Sequence, residues 1–173
     1  MNPSRTKLLQ VISRMGGRIA ASVSSDGSWE PRGTIIVEAA PLQATVVTPE
    51  EAPGLIDELP ILMVAAACAQ GTSRLQGIGE LRVKETDRIQ SMVNGLQQLG
   101  VRARLPVPDT VVIEGGPMEG GVVDSAGDHR TAMSLAVAGL RAEGRTTIRG
   151  ADCVAKSFPG FFEQPRSIAV PRR

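Results

Sequence analysis

The chain repeats itself, and this repeat limits the folds that it can adopt. The segment TIIVEAAP (Thr34 to Pro41) returns 76 residues later as TVVIEGGP (Thr110 to Pro117). The pairs Val46-Val47 and Val122-Val123 have the same separation of 76 residues. Two matches at one spacing indicate two copies of one structural unit.

Each copy contains the same order of predicted elements: helix, three strands, helix, strand. The opening helices, each amphipathic and stopped by glycine, are predicted over Thr6–Met15 and Thr86–Leu99, and the second, alanine-rich helices over Ile61–Ala69 and Ala132–Ala138. The predicted strands are Arg18–Val23, Thr34–Val37, a short one near Val46 and Thr72–Gln76, then Val101–Leu105, Val111–Glu114, Val122–Val123 and Thr146–Arg149. This order predicts a layered α/β fold with mostly buried helices.

The first helix lacks an element that its counterparts have. The helices predicted to begin near Thr86 and Ser157 each follow a strand, whereas no strand precedes the first helix. We therefore expect a fold that is incomplete at the N-terminus; a domain that begins with a helix is the alternative. We expect one domain over residues 1–165, a third copy beginning at SFPGFF (Ser157 to Phe162) and a polar tail over residues 166–173.

Composition excludes several classes of function. The 19 Lys and Arg residues are balanced by 18 Asp and Glu residues, so the chain lacks the basic field of a general nucleic-acid or membrane-surface binder. The longest apolar run, Ile61 to Ala69, is about half as long as a membrane-spanning helix. The two cysteines, Cys68 and Cys153, have no metal-site spacing and suit a reducing compartment. We expect a cytoplasmic protein without nucleic-acid or membrane partners.

The densest charge cluster is ELRVKETDR (Glu80 to Arg88). Helical spacing would place Glu85 beside Arg88 and Lys84 nearby. Such a cluster is either a set of surface ion pairs of little energetic value or an anion-binding site. The second interpretation gains weight because Arg130 and Lys156 also lie at predicted helix starts, where free N–H groups favour phosphate and carboxylate.

Other candidate sites are weaker. His129 is the only histidine, and neither a Walker-type phosphate loop nor a GxGxxG run is present, so we expect no metal and no cofactor. Asp57 lies just before a predicted helix, and on position alone it would be a helix N-cap. Trp29 is predicted to pack within a polar loop.

The string LRVKETDRI (Leu81 to Ile89) closely resembles the signature of the 5-enolpyruvylshikimate-3-phosphate (EPSP) synthase family, the target of glyphosate. The segments Ile56-Asp57-Glu58, GDHR (Gly127 to Arg130) and CVAKSFP (Cys153 to Pro159) resemble further family motifs, in the same order. The resemblance covers essentially the whole chain but only the C-terminal portion of the family. It implies the enolpyruvyl transferase fold, with repeated βαβαββ units and mixed parallel and antiparallel sheets around buried helices.

The resemblance also implies a reaction of the shikimate pathway, the transfer of the enolpyruvyl group of phosphoenolpyruvate to the 5-hydroxyl of shikimate 3-phosphate. In that case Asp57 would help to deprotonate the 5-hydroxyl, and Glu85 would transfer a proton at the methylene carbon. Phosphoenolpyruvate would be bound by Arg88, Arg130 and Lys156. Lys84 would reach shikimate 3-phosphate, and Glu80 stands where some family members have an amide that contacts this substrate.

The family takes its other substrate contacts from a second domain, which this sequence does not contain. The resemblance therefore implies the N-terminal half of the enzyme as a partner and an inactive isolated chain. Two alternatives stay open at this point: a noncatalytic anion-binding fragment, and the related UDP-N-acetylglucosamine enolpyruvyl transferase.

Overall fold

A computed structural model describes residues 6–24 and 32–164 of the chain. Within these ranges the helices are α1 (Lys7–Arg14), α2 (Leu59–Cys68), α3 (Arg88–Gln98) and α4 (His129–Arg141). The strands are β1 (Arg18–Ser24), β2 (Arg32–Glu38), β3 (Val46–Val47), β4 (Thr72–Leu75), β5 (Arg102–Val107), β6 (Thr110–Glu114), β7 (Val122–Asp124) and β8 (Thr147–Arg149). Three 3₁₀ helices span Ala52–Leu55, Gly79–Val83 and Ala151–Lys156.

The elements form two units of the same order, α1-β1-β2-β3-α2-β4 and α3-β5-β6-β7-α4-β8. In both units the third strand runs parallel to the last one, with a helix as the crossover connection. Equivalent parallel bridges, Gln43 with Gln70 and Glu119 with Glu143, precede these strand pairs. The repeated order predicted from the sequence is therefore confirmed.

One four-stranded sheet joins the two units. Its strand order is β3-β4-β6-β5, with β3 parallel to β4 and the other pairs antiparallel. The last strand of the first unit thus pairs with the hairpin of the second unit. The remaining described strands form two smaller sheets, β1-β2 and β7-β8. Mixed parallel and antiparallel pairing is the arrangement that the resemblance implied.

The helices supply most of the core. Helix α2 is apolar on all sides, and seven of its residues are buried. Helices α3 and α4 approach closely at Gly95, where an added Cβ atom would lie 2.7 Å from a methyl carbon of Leu135. Each fully buried leucine, isoleucine or methionine contributes about 1.5–3 kcal/mol through loss of apolar surface from water. This packing fixes the helix starts that carry the charged residues.

Several element ends differ from prediction for local reasons. Helix α3 begins at Arg88 rather than Thr86 because the Asp87 carboxylate caps it, accepting a 3.0 Å hydrogen bond from the Gln90 N–H. Helix α2 begins earlier than predicted, at Leu59, since Pro60 fits the first helical turn. No described helix is long and apolar enough to cross a membrane.

No helix begins at Ser157, where the third copy was expected; the described chain becomes helical again at Glu163, next to residues that are not described, so the third copy stays a prediction. The 3₁₀ helix Ala151–Lys156 ends just before Ser157. Residues 157–162 are not helical, and Gly160 among them has a φ of +80°. The glycine adopts a left-handed conformation that interrupts a helix. Trp29 and the predicted tail over residues 166–173 lie outside the described residues.

An ion pair links α1 to the strand region that follows the hairpin. The Arg14 guanidinium donates to Thr45 Oγ1 at 3.1 Å, to the Val46 carbonyl at 2.9 Å and to Glu51 Oε1 at 2.7 Å. Glu51 Oε2 also accepts from the Thr48 N–H at 3.1 Å. The hydrogen bond from Arg14 is the main reason that the pKa of Glu51 is lowered from its usual value of 4.5.

We expect Glu51→Gln to reduce the free energy of unfolding by about 1 kcal/mol at neutral pH, a small value because the pair is partly exposed. A carboxyl whose pKa is lower in the folded chain stabilises it above pH 4.5, and this contribution is lost as the pH falls through the folded-state pKa. Urea unfolding at neutral and acidic pH checks this. A difference between wild type and variant that persists undiminished in acid would contradict the assignment.

Candidate active site

One arginine side chain is enclosed at the start of α3. Arg88 is 1% exposed, and its Nε donates to Asp128 Oδ2 at 2.8 Å. Its Nη2 donates to Glu85 Oε2, and its Nη1 lies 3.7 Å from Asp57 Oδ1. A buried guanidinium has lost its hydration and is stable only where opposite charges replace the water. Three carboxylates therefore converge on Arg88.

Asp128 fastens the start of α4 to the start of α3. Its Oδ1 accepts from the backbone N–H groups of Arg130 at 2.8 Å and Thr131 at 2.9 Å, which caps α4. Its Oδ2 accepts from Arg88, so one carboxylate serves two helices. A hydrogen bond of 3.1 Å between the hydroxyls of Ser91 and Thr131 supports the same junction.

The loop before α4 also positions the segment that ends at Lys156. The Ser125 hydroxyl donates to the Gly150 carbonyl at 2.9 Å and accepts from the Gly127 N–H at 3.1 Å. Gly150 has a φ of +67°, and an added Cβ atom would lie 2.8 Å from the Ser125 hydroxyl. A close approach at Gly150 thus sets where the 3₁₀ helix Ala151–Lys156 begins.

Asp57 is oriented by arginines rather than by the helix that follows it. Its Oδ2 lies 3.3 Å from Arg130 Nη2, and its carbonyl accepts from Arg130 Nη1 at 2.9 Å. The N-cap position of α2 is occupied by Glu58, without a side-chain capping bond. The interpretation of Asp57 as a helix cap is therefore wrong, because the carboxylate instead faces Arg88 and Arg130.

The signature segment is held by a second set of contacts. Arg82 Nε donates to the Pro108 carbonyl at 2.8 Å, and its Nη1 pairs with Asp87. The Lys84 ammonium pairs with Glu80 four residues earlier. Lys84 and Glu80 thus form a separate ion pair next to the Arg88 cluster.

Lys156 makes no ion pair with this cluster in the part of the chain that the structure describes. It is the exposed last residue of its 3₁₀ helix. The segment after it turns back toward the cluster, because Phe158 and Phe161 line a cleft of about 280 Å³ together with Asp57 and Arg130. The structure therefore brings together four of the predicted residues, Asp57, Glu85, Arg88 and Arg130.

The cluster combines three carboxylates with two guanidiniums, so its cations are already paired. The Glu85 side chain is 56% exposed, whereas those of Asp57 and Asp128 are 21% and 0% exposed. Glu85 is thus the partner of Arg88 that an incoming anion can replace most easily. Chemically, the arrangement offers guanidiniums for an anionic ligand and carboxylates that can transfer protons beside it.

Asp128 is the member of the cluster that was not predicted as a site residue. It precedes Arg130 directly in GDHR and stands at a predicted helix start, where an aspartate is typical of a cap. Its second role depends on α3, which lies 40 residues earlier in the chain. Only the packing of α3 against α4 makes that role visible.

We expect Asp128→Asn to lower the free energy of unfolding by about 3 kcal/mol, because it leaves the charge of Arg88 buried with fewer compensating carboxylates. Asp87→Asn is the matched control, since Asp87 caps α3 and pairs with Arg82 at a partly exposed position. It should cost about 1 kcal/mol or less. Equal losses in urea unfolding would show that the buried pair is not the stronger anchor.

Comparison with known proteins places this geometry in a family. The sequence model of the EPSP synthase (3-phosphoshikimate 1-carboxyvinyltransferase) family matches residues 1–164. A 3-phosphoshikimate 1-carboxyvinyltransferase of Coxiella burnetii is 44% identical over 170 residues, which are 98% of this chain and 39% of that protein. The enzyme of the same name from Carboxydothermus hydrogenoformans is 49% identical over 165 residues, which are 95% of this chain and 38% of that protein. The chain therefore spans about two fifths of the length of these relatives.

Solved structures agree. An EPSP synthase from Acinetobacter baumannii superimposes with a TM-score of 0.89 at 39% identity, covering 96% of this chain and 39% of that one. The enolpyruvyl transferase NikO from Streptomyces tendae shares the fold, with a TM-score of 0.70 at 22% identity over 95% of this chain and 35% of its own. The predicted enolpyruvyl transferase fold is thus confirmed, and the family match favours the shikimate enzyme over the UDP-N-acetylglucosamine one. The chain belongs to the EPSP synthase family.

Proposed function

We propose that this chain forms one side of an EPSP synthase active site. The reaction would transfer the enolpyruvyl group of phosphoenolpyruvate to the 5-hydroxyl of shikimate 3-phosphate. The hydroxyl oxygen bonds to C2 of phosphoenolpyruvate while C3 gains a proton, which gives a tetrahedral intermediate. Loss of a C3 proton and cleavage of the bond from C2 to the phosphate oxygen then release phosphate and leave an enol ether.

One observation carries this proposal: the cluster of Asp57, Glu85, Arg88 and Arg130. Glu85 and Arg88 come from the signature, whereas Asp57 and Arg130 come from two further family-like motifs. The folded chain joins all four through ion pairs. Asp57 faces two guanidiniums and is largely enclosed, whereas Glu85 faces one guanidinium and solvent. Two carboxylates in different surroundings suit opposite proton-transfer roles, with Asp57 at the 5-hydroxyl and Glu85 at the methylene carbon.

The pairing of Arg88 with Glu85 suggests how substrate would prepare the site. A carboxylate or phosphate of phosphoenolpyruvate that takes the place of Glu85 on Arg88 Nη2 would keep the buried guanidinium neutralised. It would also free the Glu85 carboxyl beside the bound substrate. Arg130 would bind the same substrate from α4. Lys156 would do so if its segment moves toward the cleft, which Phe158 already lines.

The remaining contacts would come from the part of the enzyme that lies outside this chain. The chain spans about two fifths of its relatives, and the proposed site needs cations on its opposite side. We therefore expect the N-terminal portion of the enzyme as a partner and no turnover by the chain alone. Both cysteines are free thiols, which supports a cytoplasmic location as part of the proposal.

The test is phosphate release from phosphoenolpyruvate and shikimate 3-phosphate by this chain mixed with the N-terminal three fifths of the Acinetobacter baumannii enzyme. We expect turnover only in the mixture, with Asp57→Asn and Glu85→Gln each lowering kcat by about a hundredfold or more. Glu119→Gln, at an exposed carboxylate outside the cluster, is the control and should leave kcat unchanged.

The outcomes separate the alternatives. Turnover by the chain alone would overturn its dependence on a second segment. Saturable binding of phosphoenolpyruvate without turnover in the mixture would favour a noncatalytic anion-binding fragment. Turnover with UDP-N-acetylglucosamine in place of shikimate 3-phosphate would overturn the substrate assignment.

The ion pair between Lys84 and Glu80 would affect the binding of shikimate 3-phosphate. If Lys84 binds shikimate 3-phosphate, the Glu80 carboxylate competes with the substrate for its ammonium. We expect Glu80→Gln to lower the KM for shikimate 3-phosphate in the active mixture by about threefold, in line with the small energies of exposed ion pairs, and to leave kcat unchanged. A higher KM would show that Glu80 itself contacts the substrate.

A further inference from the structure

Both units contain a left-handed glycine that leads into a short helix and a lysine. Gly77 and Gly150 each have a φ of +67°, and each closely follows the last strand of its unit. A 3₁₀ helix comes next in both units. Lys84 follows the first of these helices, and Lys156 is the last residue of the second. The two lysines thus occupy similar places in the repeat, and we call the second helix, Ala151–Lys156, the Lys156 segment.

The residue that packs against this glycine differs between the units. An added Cβ atom at Gly77 would lie 2.6 Å from the Cα atom of Pro49. An added Cβ atom at Gly150 would lie 2.8 Å from the hydroxyl oxygen of Ser125. Pro49 and Ser125 correspond at the repeat spacing of 76 residues, so the close approach is common to both units. The proline side chain has no donor, and the hydroxyl is therefore not a requirement of the fold.

Ser125 joins two segments of the candidate site. Its side chain is fully buried, and its hydroxyl donates to the Gly150 carbonyl at 2.9 Å while it accepts from the Gly127 N–H at 3.1 Å. Its backbone N–H donates to the Arg149 carbonyl at 3.0 Å, and its carbonyl accepts from the Asp128 N–H at 3.0 Å. One residue thus ties the turn before α4 to the glycine before the Lys156 segment.

The turn before α4 has an unfavourable backbone conformation. Ala126 has a φ of +53°, and Gly127 follows with a φ of +73°. The left-handed region is unfavourable for alanine, because its Cβ atom approaches a carbonyl oxygen. The Ala126 N–H donates to Asp124 Oδ1 at 2.7 Å, and the Ser125 hydroxyl holds the next residue. Such backbone persists where surrounding contacts fix it, and it is concentrated at functional sites.

We propose that Ser125 is a positioning residue for phosphoenolpyruvate, because its hydroxyl fixes the Lys156 segment relative to Arg130. The inference rests on the proposed function, in which Arg130 and Lys156 bind that substrate together. Arg130 has its own anchor, since its guanidinium donates to the Asp57 carbonyl at 2.9 Å. Loss of the hydroxyl would free the start of the Lys156 segment and displace Lys156, at the far end, the most. Shikimate 3-phosphate, assigned to Lys84, should bind as before.

Steady-state kinetics of the active mixture test this role. We expect Ser125→Ala to raise the KM for phosphoenolpyruvate about fivefold, which is the size of effect that one hydrogen bond has. The KM for shikimate 3-phosphate and kcat should both stay within about twofold of the unmodified mixture. An unchanged KM for phosphoenolpyruvate would overturn the proposal. A rise of both KM values with a fall in kcat would overturn it too, because it would indicate general damage to the fold.

Two variants separate positioning from stability. Ser73→Ala is the matched control, because Ser73 is equally buried and its hydroxyl accepts from the Thr45 N–H at 3.1 Å in the four-stranded sheet. It should lower the melting temperature without changing the KM for phosphoenolpyruvate. Ala126→Gly relieves the left-handed alanine and should restore part of the melting temperature lost in Ser125→Ala, while that KM stays raised. Equal KM values in the two serine variants, or a KM that recovers with the melting temperature, would contradict the proposal.

A double-mutant cycle identifies the residue through which Ser125 acts. If it acts through Lys156, adding Ser125→Ala to Lys156→Met should change the KM for phosphoenolpyruvate by less than about twofold. Effects that multiply would show that the two residues act independently, and would overturn the assignment.

The natural thiol of Cys153 reports on the Lys156 segment without any catalysis. Cys153 lies within this segment and is half-buried, and Cys68→Ala leaves it as the only thiol. In that background, Ser125→Ala should raise the rate of reaction with a maleimide about threefold or more, whereas Ser73→Ala should not. An unchanged rate would overturn the inference even if the mixture is active. No turnover by the unmodified mixture would instead refute the proposed function, and with it the substrate named here.

Discussion

The burial of the Arg88 charge is the constraint on which the rest of the structure depends. A guanidinium removed from water needs carboxylates around it, and these come from three places: the loop before α3, the start of α4 and the turn before α2. The three elements therefore cannot shift independently. The packing of α3 against α4 brings their N-termini together, and the ion pairs then fix the side chains within that junction.

The repeat explains why much of the fold could be predicted from the sequence. Similar segments at one spacing must fold alike, so the order of elements in the first unit supports the order in the second. The ends of helices and strands depend on single residues. The capping carboxylate of Asp87, for example, places the start of α3 at Arg88 rather than at the predicted Thr86. The helix expected at Ser157 does not begin there, because the chain turns at Gly160, whose φ is +80°, and becomes helical again at Glu163. Pattern gives the type of an element more reliably than its boundary.

Fewer contacts of the candidate site than elements of the fold could be predicted from sequence pattern alone. Spacing could suggest that Glu85 meets Arg88, but the approach of Asp57 to both arginines joins segments that are far apart in the chain. The family-like motifs selected Asp57 where its position alone suggested a helix cap. The sequence does not distinguish Asp128 from an ordinary helix cap, because its contact with Arg88 depends on tertiary packing. Lys156 lies on a segment whose placement follows from the contact between Ser125 and Gly150.

The four-stranded sheet is composed of β3 and β4 from the first unit and the hairpin β5-β6 from the second. The repeating unit of the sequence and the four-stranded sheet therefore have different boundaries along the chain. A single unit would therefore contain two incomplete sheets, and the four-stranded sheet forms only at the junction between two units. In such an architecture, a substitution in β4 or β6 alters the compatibility of neighbouring units as well as the stability of the unit that carries it.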